Sequence, residues 1–159
     1  MDSVIFQPSD LANQRRVEFL DAARSGRARL RDKDGTSLVM LPERHLVWLE
    51  AIAKWSSVHL RLEELLRRGA MPAVAELGDL AWLRAFDMDD LREFVGELHE
   101  ALVVTNSDQD PSRLDECVHA WKTTARQLED PLRRKVLLGG HALDEYEEVR
   151  RPDSNGGDS

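Results

Sequence analysis

The chain has 159 residues, 42% hydrophobic and 33% charged, with a formal net charge of −8. That is the composition of one or two small helix-rich domains with a modest core. No apolar run reaches the roughly 18 residues of a membrane-spanning helix, and no signal-peptide pattern opens the chain. The one cysteine, Cys117, excludes an internal disulfide, so the expectation is a cytoplasmic protein in a reducing compartment.

The charge is unevenly spread. Residues 1–56 carry nine Lys/Arg and eight Asp/Glu, net +1, whereas residues 57–159 carry the other 13 and 22, net −9. A near-neutral module joined to an acidic remainder suggests one surface for a polyanion and another for a basic protein.

Val4 and Phe6 alternate with Ser3, Ile5 and Gln7, the pattern of a short strand that Pro8 ends. A helix is expected over residues 9–25, with Ser9 as its N-cap, Leu11, Val17, Phe19, Leu20, Ala22 and Ala23 on its apolar face, and Gly26 closing it. Arg27-Ala28-Arg29-Leu30-Arg31 then alternates guanidinium with apolar side chains, so one strand face is cationic and the other packs inward. Asp32-Lys33-Asp34-Gly35 reads as a hairpin turn. The apolar arm at 37–41 is expected inside the sheet or at a subunit interface. Pro42-Glu43 opens a second helix with Leu46, Val47, Leu49, Ile52 and Ala53 as its stripe. So small a core points to a dimer formed through the hairpin and this helix.

The second helix continues through Trp55, Val58, Leu62, Leu65 and Leu66 to Gly69. A helix carrying Val74, Leu77, Leu80, Trp82 and Leu83 follows Met71-Pro72, and Asp87, Asp89 and Asp90 mark the start of another, with Leu91, Phe94, Val95, Leu98 and Leu102 as its stripe. Residues 105–112, polar and ending in Pro111-Ser112, read as a linker. Beyond it Leu114, Val118, Trp121, Ala125 and Leu128 recur at helical spacing, and Asp130-Pro131 breaks the run. A helix tethered in this way either docks on its own chain or lays its apolar face in a partner's groove, and an indole such as Trp121 suits an interface centre. Gly139-Gly140 reads as a helix stop, the acidic run 144–148 as either a patch for a basic partner or a solubilising segment, and residues 151–159 as a disordered tail.

Chemistry-bearing motifs are missing. His45, His59, His99, His119 and His141 fall at no metal-ligand spacing, Cys117-x-His119 has too few companions for zinc, and no phosphate-binding loop or nucleophile elbow occurs. Adjacent carboxylates such as Glu63-Glu64 diverge, which does not suit acid–base work. The expectation is a non-enzyme with no cofactor and no metal.

The run Phe6-Gln7-Pro8-Ser9-Asp10-Leu11-Ala12-Asn13, the run Phe19-Leu20-Asp21-Ala22-Ala23-Arg24-Ser25-Gly26 and the hairpin from Arg29 to Pro42 resemble the prevent-host-death (Phd/YefM-like) antitoxins. The likeness covers residues 4–49, about a third of the chain. It implies an α+β fold: a β-α-β-β-α dimerisation and DNA-binding module over 1–56, then mostly α-helix. The helical part is divided into a region 57–104 and tethered helices at 105–150 that would bind the toxin. Such antitoxins form a homodimer, bind operator double-stranded DNA to repress their own operon, and hold a small toxin of the RelE/YoeB or Doc type. Ser9, Asn13, Gln14, Arg15 and Arg16 match the positions that approach DNA. Where the family has Leu-Arg-x-Asn, this chain reads Leu11-Ala12-Asn13-Gln14-Arg15-Arg16, so either one residue is inserted or the basic role has moved to Arg15 and Arg16.

The residues alone support Arg27, Arg29 and Arg31 as further DNA contacts, or as a solvated face paired with Glu18, Asp21, Asp32 and Asp34. No aromatic interleaves with the arginines, which disfavours single-stranded nucleic acid and leaves the duplex. The stripe Leu114, Val118, Trp121, Ala125 and Leu128 is the candidate toxin-binding face. The rivals are a stand-alone regulator of the same build without a toxin, and a helical interaction protein.

Overall fold

A computed structural model describes residues 4–130 and Lys135. The glycine stop, the acidic run 144–148 and the tail 151–159 expected from the sequence lie outside them. The protein is a mixed α+β chain: strand β1 (Ile5–Phe6), a 3-10 turn (Pro8–Ala12), helix α1 (Arg15–Arg24), strands β2 (Ala28–Arg31) and β3 (Ser37–Met40), helix α2 (Glu43–Arg67), a short α3 (Val74–Leu77), a kinked 3-10 segment (Gly78–Ala85), and helices α4 (Met88–Asp108) and α5 (Ser112–Glu129).

The sheet runs β1-β2-β3, with β1 parallel and β3 antiparallel to β2. Phe6 lies opposite Leu30, and Leu30 opposite Leu38. Because strand side chains alternate, Phe6, Ala28, Leu30, Leu38 and Met40 share the inner face, and Ile5, Arg29, Arg31 and Val39 the outer. Helix α1 covers only part of the inner face. Phe19 and Ala23 close on Phe6 and Ala28 to make a core of four buried residues, with the Phe6 and Phe19 rings edge to face at 5.3 Å. The hairpin turns at Gly35, whose φ of +88° favours glycine.

Several expectations are corrected here. The helix over 9–25 is split: Pro8–Ala12 is a 3-10 turn and α1 starts only at Arg15. Ser9 caps nothing. Instead the Gln7 N–H donates to Asp10 Oδ2 (2.9 Å), and the Arg15 N–H to Asn13 Oδ1 (2.8 Å). Val17 is 58% exposed rather than in the core. Strand β3 is not inside the sheet but at its edge, with Leu38, Val39 and Met40 all exposed.

Helix α2 is continuous across residue 56, so the division between 1–56 and 57–104 falls within a helix. Trp55, Val58, Leu62 and Leu65 are buried as expected, but in the first turns Leu46, Val47, Leu49 and Ala53 are exposed and Trp48 is the buried residue. The helix before α4 is a short α3 and a 3-10 segment kinked at Leu80. Helix α4 begins where the sequence puts it: Asp87 Oδ1 accepts the N–H groups of Asp89 and Asp90, both at 2.9 Å, and the Asp87 N–H donates to Asp90 Oδ2.

The linker at 105–112 is overturned. Thr105 to Asp108 form the last turn of α4, and Thr105 is fully buried. The Trp48 indole N–H donates to the Thr105 carbonyl oxygen at 3.0 Å, which ties α2 to the end of α4. A tight turn remains, with Gln109 left-handed (φ 55°), and α5 then folds back on α4 and the 3-10 segment. The helical core buries Leu62, Leu77, Leu83, Leu91, Phe94, Leu98 and Leu114 almost completely.

Candidate functional site

The start of α1 is organised around Asp10, whose side chain is 12% exposed. Its carboxylate accepts the Gln7 N–H and a guanidinium N–H of Arg15 at 3.1 Å. Arg15 also reaches Glu18 at 3.5 Å and lies over the Phe6 ring, 5.3 Å from its centroid. Two carboxylates and a ring therefore hold this cation against its own module, where it braces the turn. Asn13 is likewise a local brace: its amide donates to the Ser9 carbonyl oxygen (3.1 Å) while its oxygen caps α1. Ser9, Gln14 and Arg16 are exposed beside them. Arg16 forms no ion pair among the described residues, so of the two adjacent arginines it is the one with a free charge.

The outer sheet face collects the rest. Arg29 stands between Ile5 and Val39, and Arg31 opposite Ser37. Ile5, Arg29, Leu30, Arg31, Ser37, Leu38 and Val39 line a shallow cleft of about 190 Å³. Arg27, Arg29 and Arg31 are exposed, with no ion pair among the described residues. The acids expected to neutralise them are occupied elsewhere. Asp21 pairs with Arg24 (2.8 Å), Glu18 with Arg15, and Asp32 accepts the Lys33 N–H. Asp34 accepts the Thr36 N–H at 2.8 Å, a bond to its charged form that holds its carboxyl below the usual carboxylate range. The hairpin's carboxylates thus stabilise the turn and leave the strand arginines uncompensated.

The candidate toxin-binding stripe is divided by the fold. Leu114, Val118 and Ala125 are buried in the chain's own helical core. Trp121 and Leu128 are half-buried and remain reachable. The Trp121 indole N–H donates to Glu97 Oε2 at 2.6 Å, and its ring meets those of Phe86 (5.1 Å) and Phe94 (5.4 Å). Sequence periodicity could not separate the two groups, because all five share one side of α5 and only the packing of α4 decides which are covered. Phe86 and Asp90, which approach Trp121 in space, carry no local signal that joins them to it.

Of the histidines, His59 and His99 place their rings 5.2 Å apart across α2 and α4. Among the described residues no group of three or more His, Cys, Asp or Glu could hold a metal ion. No described helix is long and apolar enough to cross a membrane.

No family model, curated protein or solved structure matches the chain.

Proposed function

We propose that the protein is an antitoxin of a type II toxin–antitoxin system. In this reading a Phd/YefM-like β-α-β-β-α module forms a homodimer on operator double-stranded DNA and represses its own operon, and the helical part binds a cognate toxin, a small ribonuclease-type protein of the RelE/YoeB or Doc kind. The observation that carries the DNA half is the outer sheet face, where Arg29 and Arg31 project without counter-charges among the described residues. The dimer is supported by the neighbouring edge: β3 exposes Leu38, Val39 and Met40, and the first turns of α2 expose Leu46, Val47 and Leu49. An edge strand with apolar side chains on both faces is a site for pairing with another chain. Two modules are also what the charge requires, since affinity for DNA grows with the number of phosphates neutralised.

The test is binding of the full chain to the duplex upstream of its gene, with the double variant Arg29→Ala/Arg31→Ala as comparison. A loss of about tenfold or more is expected for those two phosphate-type contacts, and unchanged affinity overturns the sheet face as the DNA surface. One observation favours the second reading, a stand-alone regulator of the same build: Leu114, Val118 and Ala125 already have their apolar partners within the chain. Co-purification with the product of the adjacent gene separates the two readings.

A further inference from the structure

Phe86, Asp90, Ala120, Trp121, Thr124 and Leu128 line a surface groove of about 370 Å³ between the 3-10 segment, the start of α4 and the second half of α5. Its floor is aromatic, with the Phe86 and Trp121 rings at 72° to one another. Asp90, Glu93 and Glu97 follow at spacings of three and four residues, so they stand on one face of α4. That face adjoins α5, because Glu97 accepts the Trp121 indole N–H and Asp90 lines the groove. None of the three has a cationic partner among the described residues: Arg92 pairs with Asp89 (2.9 Å), Arg84 with Glu129 (2.8 Å), and Lys122 lies over the Trp82 ring.

We propose that this groove docks a basic amphipathic segment of a protein partner. An apolar side chain of the segment lies on Phe86 and Trp121 between Ala120 and Leu128, and its Lys or Arg residues meet the row Asp90, Glu93 and Glu97. The indole beside that row adds attraction for a guanidinium crossing its face. Charge complementarity selects this occupant: Asp90 lines the groove, Glu97 meets the Trp121 of its floor, and Glu93 stands on the same face of α4, none with a cationic partner among the described residues, on a chain whose residues 57–159 carry a net −9. The inference deepens the reading of the helical part as the toxin-binding part and rests on it for the partner's identity. The groove would then be the reachable remainder of a face whose other apolar residues are already packed.

The experiment titrates the full chain with an amphipathic helical peptide of leucine and arginine, roughly 14 residues long, and with its glutamate-for-arginine counterpart. It follows the Trp121 indole N–H signal by NMR, assigned with Trp121→Phe. The arginine peptide is expected to move that signal saturably and the glutamate peptide to leave it in place. The triple variant Asp90→Asn/Glu93→Gln/Glu97→Gln should weaken binding at least ~tenfold. Ala120→Arg, at an exposed wall position, should block binding with the circular dichroism unchanged. No saturable shift up to about 1 mM peptide, equal binding of both peptides, or indifference to the triple variant overturns the proposal. A signal that the free chain shifts on deletion of residues 131–159, with peptide binding only after that deletion, also overturns it by making the chain's own C-terminal segment the occupant; a shift that depends on protein concentration does so in favour of a second copy. The groove and the antitoxin reading fail separately. Peptide binding by a chain whose adjacent gene product does not bind retains the groove and removes the toxin, whereas toxin binding that ignores Ala120→Arg removes the groove alone.

Discussion

The two regions of the protein bury their apolar residues to very different extents. The helical region closes fifteen buried residues into one core, from Trp55 to Ala125, and leaves its α5 stripe largely satisfied. Among the described residues the sheet region closes four, Phe6, Phe19, Ala23 and Ala28, and leaves apolar side chains of β1, β3 and the first turns of α2 in contact with solvent. Burial of apolar surface is the main favourable term in folding. The helical region is therefore the source of the chain's stability, and the sheet region the part with unfinished surface, which is where association is expected to act.

The sharpest break of that comparison is a cavity in the larger core. Phe94→Ala should lower the unfolding free energy by ~3–5 kcal/mol, read from the denaturant midpoint, whereas Phe19→Ala should leave the main helical transition near its original midpoint and abolish DNA binding. If both variants shift the main transition alike, the regions do not differ in stability as described. Next in size, Val39→Glu puts a charge on the exposed edge strand and should convert the proposed dimer to monomer in analytical ultracentrifugation. DNA affinity would then fall by about two orders of magnitude, as half the phosphate contacts are lost and the new carboxylate faces Arg29; a Val39→Glu variant that stays dimeric would move the interface elsewhere. Arg16→Ala should weaken DNA binding by about tenfold and reduce its salt dependence. Arg15→Ala should act mainly on the thermal stability of the module, since it frees the carboxylate of Asp10; an Arg15 effect confined to DNA affinity would contradict the bracing role.

Two smaller effects test the helical half. Trp48→Phe removes the indole N–H bonded to the Thr105 carbonyl oxygen, for a loss of about 1 kcal/mol measured by urea denaturation. Burial, and then the Glu97 carboxylate, raise the Cys117 thiol above its ordinary pKa, with Arg113 opposing. Less thiolate is then present near pH 8, so iodoacetamide should modify Cys117 several-fold more slowly in the folded chain than in urea. Equal rates would mean that the α4–α5 contact is open in solution.

Element type and order were legible where local chemistry decides them. The turn Asp32-Lys33-Asp34-Gly35, the Asp87 cap and the helical spacing from Leu114 to Leu128 are each set by residues a few positions apart. What failed was decided by contacts distant in sequence. Thr105 has the polar neighbours of a loop, yet Trp48, 57 residues away, holds its carbonyl in the last turn of α4. The α2 stripe is legible from Trp55 onward but not in the first turns, because Leu46, Val47, Trp48, Leu49 and Ile52 surround the helix on nearly all sides, so periodicity cannot say which side meets α4. At the site, the common face of Arg29 and Arg31 followed from simple alternation, whereas their lack of ion pairs among the described residues did not, because it depends on the acids turning to other partners. The pairing of Arg15 with Asp10 was not legible, because Asp10 reaches it only after the chain breaks between the 3-10 turn and α1.

Helix α2, a single rod of 25 residues roughly 37 Å long, belongs to both regions. Its opening turns carry the bare leucines and valine next to the hairpin, and its closing turns carry Leu62 and Leu65 into the large core. No glycine or proline interrupts it, and its one local softening is Ser57, whose hydroxyl donates to the Ala53 carbonyl oxygen without ending the helix. Seizing the first turns in a dimer would restrain the rod as a whole, and a protease seeking a seam between the halves would find none along its length.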